Sequence, residues 1–214
     1  MTLRSSAETP TEQPAEAKES WSEAIRDAKR ERILEAAAQV FAERGLDEAS
    51  MRKIAAQAGC TTGAIYPLFK NKEAIYAALL SRSLDELSRR LKAIDAPSPQ
   101  MRVRASAETI LDFYLEKPSE FALSFYLSAG LKRKGVGADL NEVLNDKLAE
   151  IRRLALVDMA ACLGDERAAE ATTGLFAQIT GLLVLQLRGR FHVFAGSAHE
   201  LLDSYLTTVL ATAE

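Results

Sequence analysis

Between residues 61 and 67 the chain groups small, uncharged side chains whose chemistry suits the edges of DNA bases. Hydroxyl, methyl, phenol and pyrrolidine groups occur at Thr61, Thr62, Ala64, Tyr66 and Pro67. Hydroxyl groups hydrogen-bond to base edges, and apolar groups contact the methyl group of thymine. These residue types therefore make DNA the first partner to consider.

A short helix over 51–58 is predicted immediately before this group. Ile54, Ala55 and Ala58 lie at helical spacing and are expected to face a core. Gly59 is expected to end the helix, because a residue without Cβ adopts the left-handed conformation at low cost.

A second helix, over 63–69, is predicted to present the uncharged group. Thr61 or Thr62 can cap its first turn through a side-chain oxygen, and Ile65 and Phe69, four residues apart, form its apolar stripe. Two short helices joined by a tight turn are a helix-turn-helix, whose second helix enters the major groove.

Charge is distributed unevenly along the chain, which has a formal net charge of −3. Residues 26–72 hold 9 basic and 6 acidic side chains, so positive charge is concentrated around the predicted helix-turn-helix. Phosphate contacts depend on local charge, and the acidic balance of the whole chain therefore does not exclude DNA. By itself, so small an excess is only weak support for a nucleic-acid partner.

Composition and hydrophobic spacing predict an all-α protein of about nine helices. Hydrophobic residues make up 48% of the chain, while glycine (11) and proline (6) are sparse. One helix is predicted over 27–44, and Asn71 and Ser98 are positioned to cap two longer helices. Ser197 and Glu200 predict a capping box for the last helix.

Several classes of protein are disfavoured by the sequence. It contains no nucleophile elbow, phosphate-binding glycine loop or metal-ligand spacing, so no enzyme, cofactor or metal site is expected. No run of about 18 uncharged apolar residues occurs, and neither a membrane span nor a secretory signal is expected. With 2 cysteines far apart in the sequence, a reducing, cytoplasmic location is expected.

A longer pattern over residues 27–76 carries a family resemblance. Its segments are Phe41-Ala42-Glu43-Arg44-Gly45, Met51-Arg52-Lys53-Ile54-Ala55, Ala58-Gly59, Gly63-Ala64-Ile65-Tyr66, Phe69 and Lys72-Glu73. In residue type and spacing this pattern resembles the TetR family of bacterial transcriptional regulators.

The resemblance implies an N-terminal three-helix domain with a helix-turn-helix, followed by a roughly six-helix C-terminal domain for effector binding and dimerisation. The chain then divides into a disordered tail (1–24), a DNA-binding domain (25–72) and a helical ligand-binding and dimerisation domain (73–214). The implied function is that of a homodimeric repressor, released from a palindromic double-stranded DNA operator by a small hydrophobic effector.

The family's DNA contacts also map onto individual residues of this chain. They fall on Arg52, Thr61, Thr62, Gly63, Ala64, Tyr66, Pro67 and Lys72. Arg52 and Lys72 are expected near phosphates, with solvated surface side chains as the alternative. For Tyr66 the alternative is a half-buried residue that supports the three-helix core. Pro67-Leu68 departs from the family, which often has a histidine in this stretch, and the departure removes a polar contact.

Aromatic residues are concentrated over 113–126, where they predict one wall of an effector pocket. The predicted pocket residues, including one charged group, are Phe113, Tyr114, Phe125, Tyr126, Arg152 and Phe176. An apolar cavity with few polar groups would suit a hydrophobic or aromatic ligand. Ordinary core packing of the same side chains is the alternative.

The helix predicted from Asp165 onward is apolar around much of its circumference, which predicts a homodimer interface shared with the last helix. The predicted interface residues are Gly174, Gly181, Leu182, Leu185, Leu201 and Tyr205. A helix fully enclosed in one chain's core is the alternative. For the whole protein, the alternatives are a DNA-binding regulator without a ligand and a helical adaptor for protein–protein contacts.

Overall fold

A computed structural model describes residues 13–126, 138–194 and 196–211, with side chains from 21–124, 140–194 and 196–211. This part of the chain forms nine α-helices and one 3-10 turn without strands, which confirms the all-α prediction. In chain order the helices are α1 Gln13–Glu48, α2 Met51–Ala58, α3 Thr62–Ile65, α4 Lys72–Lys92, α5 Pro99–Glu116, α6 Pro118–Tyr126, α7 Ala138–Leu163, α8 Asp165–Leu187 and α9 Ala198–Ala211, with the 3-10 turn at Arg190–His192.

The first three helices form a small head around a core contributed by each of them. Helix α1 packs on α2, and α2 packs on α3. The apolar positions predicted for the helix-turn-helix, Ile54, Ala55, Ala58, Ile65 and Phe69, are all buried. On α1, residues at the same helical spacing are buried against them: Ile33, Leu34, Ala37, Val40 and Phe41. The apolar pattern therefore assigned the inward faces of the head correctly.

Helix α1 extends beyond the predicted 27–44 segment. It begins at Gln13, so the structure is helical over part of the segment expected as a disordered tail, and residues 1–12 lie outside the described part. Every side chain from Trp21 to Arg32 is exposed, and α1 therefore extends past the core of the head. At the other end, Gly45 interrupts the helix with φ 73 and ψ 171, as its type predicted.

Side-chain caps define the starts of three later helices, as predicted. Asn71 Oδ1 accepts a hydrogen bond from the Ala74 backbone N–H at 2.8 Å, and Ser98 Oγ caps α5. Before α9, the Ser197 N–H donates to Glu200 Oε2 at 2.8 Å while the Glu200 N–H donates to Ser197 Oγ at 3.3 Å. This reciprocal pair is a capping box.

The body is a bundle in which α4 and α5 pack against α7, and α8 packs against α5, α7 and α9. Helix α6 contacts α1, α4 and α5, so it lies between the head and the body. The buried apolar residues of head and body form one continuous core, from Ile33 to Leu206.

Helix α8 has the length and composition of a membrane span, and no other helix of the described ranges does. A single helix of this kind is weak support for a membrane protein, because the core helix of a bundle passes the same test. In this fold α8 contributes six buried residues: Ala168, Thr172, Leu175, Ile179, Leu182 and Leu183.

Candidate functional site

The recognition turn, residues 61–67, projects an uncharged surface from the head. Ile65 is fully buried and Phe69 is 4% exposed, so these two side chains anchor the turn in the core. Thr61, Gly63, Ala64, Tyr66 and Pro67 are exposed, and Thr62 is half-buried. Tyr66 is 56% exposed, which places its ring outside the core of the head.

The helix within this turn is shorter than predicted. Helix α3 covers Thr62–Ile65, whereas the apolar spacing predicted 63–69. Pro67 has no N–H to donate to the carbonyl of Gly63, so regular helical hydrogen bonding stops there. The chain continues through two turn hydrogen bonds to the Ile65 carbonyl, from Leu68 N at 2.8 Å and from Phe69 N at 2.9 Å.

Thr61 occupies the N-cap position of α3 without capping it through its side chain. Its backbone is extended, with φ −82 and ψ 154, but its hydroxyl forms no cap hydrogen bond. Thr61 therefore stands at the predicted N-cap position, but the predicted hydrogen bond from its side chain to the first turn of α3 is absent. A Cβ built on Gly63 would lie 3.8 Å from Thr61 Oγ1, so packing alone does not require glycine there.

Helix α2 is joined to the recognition turn through Gly59. This glycine has φ 65 and ψ 37, as predicted for a left-handed helix end, and its N–H bonds the Ala56 carbonyl at 3.2 Å. A Cβ at this position would approach Arg32 Nη2 to 3.1 Å. Arg52, predicted to contact a phosphate, is exposed on the first turn of α2.

Lys72, also predicted near a phosphate, directs its ammonium group to three backbone carbonyls. Nζ donates to the carbonyl oxygens of Leu46 at 2.7 Å, Asp47 at 3.2 Å and Ala49 at 3.0 Å. Leu46 and Asp47 lie in the last turn of α1, after Gly45, and Ala49 lies in the connection from α1 to α2. The side chain thereby ties the start of α4 to the segment that positions the helix-turn-helix.

A groove between α1 and the helix-turn-helix was not anticipated from the sequence. It has a volume of about 510 Å³, and its lining includes three cations of α1 beside the recognition turn, Arg26, Lys29 and Arg32. The groove depends on α1 continuing as a helix upstream of residue 27, and a prediction of that continuation would have indicated it. Nearby, the guanidinium of Arg30 lies 4.6 Å from the centre of the Phe69 ring, a cation–π contact.

The body contains a separate cavity of about 220 Å³, lined by residues of α4, α5, α6, α7 and α8. Two predicted pocket residues, Tyr114 of α5 and Phe176 of α8, line it. Phe113 is fully buried elsewhere, with Arg90 and Lys117 each 5.0 Å from its ring centre, and Arg152 is exposed on α7. The side chains of Phe125 and Tyr126 lie outside the described residues.

Tyr114 is the main polar group of this cavity. Its ring meets Phe113 and Phe121 edge-on, with centroids 5.1 and 5.5 Å away. Burial raises the pKa of its phenol, which the neighbouring Ser124 hydroxyl partly opposes. The phenol is consequently neutral at physiological pH and serves as a hydrogen-bonding group.

The predicted interface residues divide between the inside and the outside of the bundle. Leu182 is 3% exposed and faces the core, and a Cβ on Gly174 would lie 2.6 Å from the Tyr205 hydroxyl of the same chain. These two small or apolar positions therefore serve packing within the chain. Gly181 is exposed, and Leu185, Leu201 and Tyr205 are half-buried.

Two family models match this chain. One described as "Bacterial regulatory proteins, tetR family" matches residues 33–79, and one described as "Tetracyclin repressor-like, C-terminal domain" matches residues 103–209. The chain is 30% identical over 162 residues to an uncharacterized HTH-type transcriptional regulator, YdgC of Bacillus subtilis, covering 73% of this chain and 81% of the relative. The chain belongs to the TetR family.

Other transcriptional regulators are similar to this chain over most of their length. The HTH-type transcriptional repressor BepR of Brucella suis is 30% identical over 169 residues, covering 75% of this chain and 81% of BepR. The crystal structure of FadR from Bacillus subtilis in complex with stearoyl-CoA has a TM-score of 0.66 at 18% identity, covering 84% of this chain and 97% of FadR. These relatives are transcriptional regulators, a class distinct from enzymes. The tetR family model that matches residues 33–79 includes the recognition turn.

Proposed function

We propose that this TetR-family regulator is a homodimeric repressor that binds a palindromic operator and is released by a small hydrophobic effector. The observation that carries the DNA contact is the recognition turn, whose uncharged surface is exposed while Ile65 and Phe69 hold it in the head. Two such turns in a dimer would meet half-sites about one helical turn apart. Since its target is DNA, we also propose a cytoplasmic location.

Phosphate contacts come from cations around the turn, because the turn itself carries none. Arg52 on α2 and the α1 cations Arg26, Lys29 and Arg32 are exposed. They flank the surface formed by Ala64 and Pro67, which line the same groove as the α1 cations. In this proposal the recognition turn contacts the DNA bases, and the surrounding cations contact the DNA phosphates.

The cavity in the body supports the effector part of the proposal. It is lined mostly by apolar side chains. Helix α6, which contributes two of its lining residues, Phe121 and Ser124, also contacts α1 of the head. FadR, which shares this fold, carries stearoyl-CoA in its crystal structure. A ligand that binds more tightly to a conformation with displaced α6 would lower operator affinity by linkage.

The DNA contact is tested with the double variant Thr62→Ala, Tyr66→Ala. An operator fragment is first selected with the wild-type protein from a pool of random DNA, and its affinity is then measured by fluorescence anisotropy. We expect at least a tenfold loss of affinity, because base-edge contacts are each worth about 1–3 kcal/mol.

Met101→Ala is the matched control, since Met101 is 53% exposed on α5, outside the head. It should leave operator affinity unchanged. Thermal unfolding should be similar for all three proteins, because the altered side chains lie largely outside the core. Unchanged operator affinity in the double variant would contradict the assignment of the recognition turn.

A further inference from the structure

We propose that the body cavity binds a compact apolar molecule with a hydrogen-bond donor and no negative charge, such as a short-chain alkylphenol. The inference rests on the proposed effector role of the cavity and names the class of ligand. The proposed ligand differs from a long acyl chain with a charged head group in both size and charge.

The size of the cavity favours a compact ligand. An apolar cavity of about 150 Å³ accommodates a benzene ring, and drug-sized ligands occupy pockets of about 300–1,000 Å³. At about 220 Å³, this cavity has room for one ring with a short substituent. A stearoyl chain is several times larger than a benzene ring and does not fit this volume.

The lining of the cavity is uncharged and carries its polar atoms in three hydroxyl groups. The apolar lining residues are Leu84, Leu87, Ile110, Phe121, Leu148, Ile151, Phe176, Ile179 and Leu183. The hydroxyls belong to Tyr114, Ser124 and Thr180. Such a lining suits a molecule that is apolar over most of its surface and has one polar end.

The hydrogen bonding at this polar end favours a ligand that donates. Ser124 Oγ donates to the Glu120 carbonyl at 3.1 Å, so toward the cavity its oxygen acts as an acceptor. The Ser124 oxygen therefore keeps a lone pair for a ligand, and the Tyr114 hydroxyl, which also lines the cavity, can donate to the oxygen of the ligand. A phenolic or alcoholic O–H satisfies that lone pair, whereas an ether does not.

Glu120 adds negative charge close to the same polar end. It precedes Ser124 by one helical turn, and its Oε2 is buried and accepts no hydrogen bond from any described residue. Oε1 lies 3.9 Å from Lys117 Nζ, which is also paired with Glu86. An anionic ligand would therefore meet a carboxylate that is only partly compensated, in surroundings of low dielectric.

Four probes separate the possibilities: 4-propylphenol, 4-propylanisole, 4-propylbenzoate and stearoyl-CoA. Binding to the full chain without DNA is measured by isothermal titration calorimetry and by thermal shift. We expect 4-propylphenol to bind, 4-propylanisole to bind at least about tenfold more weakly for want of a donor, and the two anions not to bind. Absence of phenol binding, equal phenol and anisole affinities, or tighter binding of stearoyl-CoA would each overturn the proposal.

Two variants localise the effect. Ser124→Ala removes the acceptor with little change in volume, and it should weaken 4-propylphenol about tenfold while leaving 4-propylanisole unchanged. Glu120→Gln removes the charge without changing the volume, and it should allow 4-propylbenzoate to bind. Wild-type selectivity in both variants would overturn the proposed ligand orientation. If Ser124→Ala does not fold, Glu120→Gln alone still decides the point, because Glu120 is partly exposed.

Operator binding is measured separately in the same preparations. If 4-propylphenol binds but leaves operator affinity unchanged, the ligand class stands and the proposed release mechanism fails. If the operator is bound and none of the probes binds, DNA recognition stands and the ligand class fails.

Discussion

The ammonium group of Lys72 illustrates how one side chain can act on DNA binding through the fold. An ammonium has three N–H donors, and here it donates to three carbonyls, two at the end of α1 and one in the connection to α2. A phosphate at the same nitrogen would have to share or displace one of them. We infer that the main contribution of Lys72 is to hold the helix-turn-helix against α4.

Lys72→Gln should therefore reduce stability. Loss of hydrogen bonds to partly buried carbonyls is expected to lower the free energy of unfolding by about 1–3 kcal/mol, measured by urea denaturation. Lys70→Gln, an exposed neighbour, serves as the control and should have little effect. A different result, with stability retained and the salt dependence of operator binding reduced by about one ion, would instead assign Lys72 to a phosphate.

Among the helices, α6 connects the two functional regions. It contributes Phe121 and Ser124 to the cavity, and the hydroxyl of the buried Tyr76 on α4 donates to the carbonyl of Leu123 on α6. The Tyr76 ring also meets Phe41 of α1 edge-on, with centroids 6.0 Å apart. A shift of α6 would thus reach both α4 and α1 through one side chain.

Tyr76→Phe tests this connection, because it keeps the ring on Phe41 and removes the hydrogen bond to α6. We expect similar affinities for 4-propylphenol and for the operator when each is measured alone. The effect of the ligand on operator affinity should fall by about 2- to 30-fold, the usual range for a residue that carries coupling. Operator affinity is measured by anisotropy with and without 4-propylphenol. If the ligand changes operator affinity as much in the variant as in the wild type, Tyr76 does not transmit the effect. Met101→Ala on α5 again serves as the control, since its side chain is 53% exposed and lies outside the proposed interface.

The outer surface of α8 forms the centre of the proposed homodimer interface. Thr173, Ala177, Gly181 and Val184 are exposed at helical spacing and form one small, mostly uncharged stripe. Gly174 and Leu182 pack within the chain and are not available to a second copy. The proposed dimer interface therefore consists of this stripe and the half-buried residues of α8 and α9. Small residues permit close approach of two helices.

Val184→Asp should therefore convert the proposed dimer to a monomer. Val184 is 43% exposed, so a carboxylate there is solvated in a monomer but would lose its water in a dimer interface. The mass in solution, measured by sedimentation equilibrium, should fall by half, and operator affinity should fall with it. Val157→Asp, at a 57% exposed position on α7, provides the matched control. A Val184→Asp protein that remains dimeric would place the interface elsewhere.

Local rules were sufficient for most of the helical layout. Capping by Asn71, Ser98 and Ser197 involves atoms within one turn of the chain, and these caps are where the sequence predicted them. The apolar spacing of α1 and α2 likewise identified their buried faces. The recognition helix is shorter than the spacing of Ile65 and Phe69 predicts, because Pro67 has no N–H to continue the helical hydrogen bonding.

The helical class and the caps follow from the sequence alone, because they depend on neighbours along the chain. Which aromatic residues surround the cavity depends instead on how the helices pack. Phe113 and Tyr114 are adjacent in sequence, but successive side chains on a helix point about 100° apart, and only Tyr114 faces Phe176 across the bundle. Tertiary structure also directed Lys72 to the carbonyls of a distant segment, a contact that depends on how α4 packs against the head.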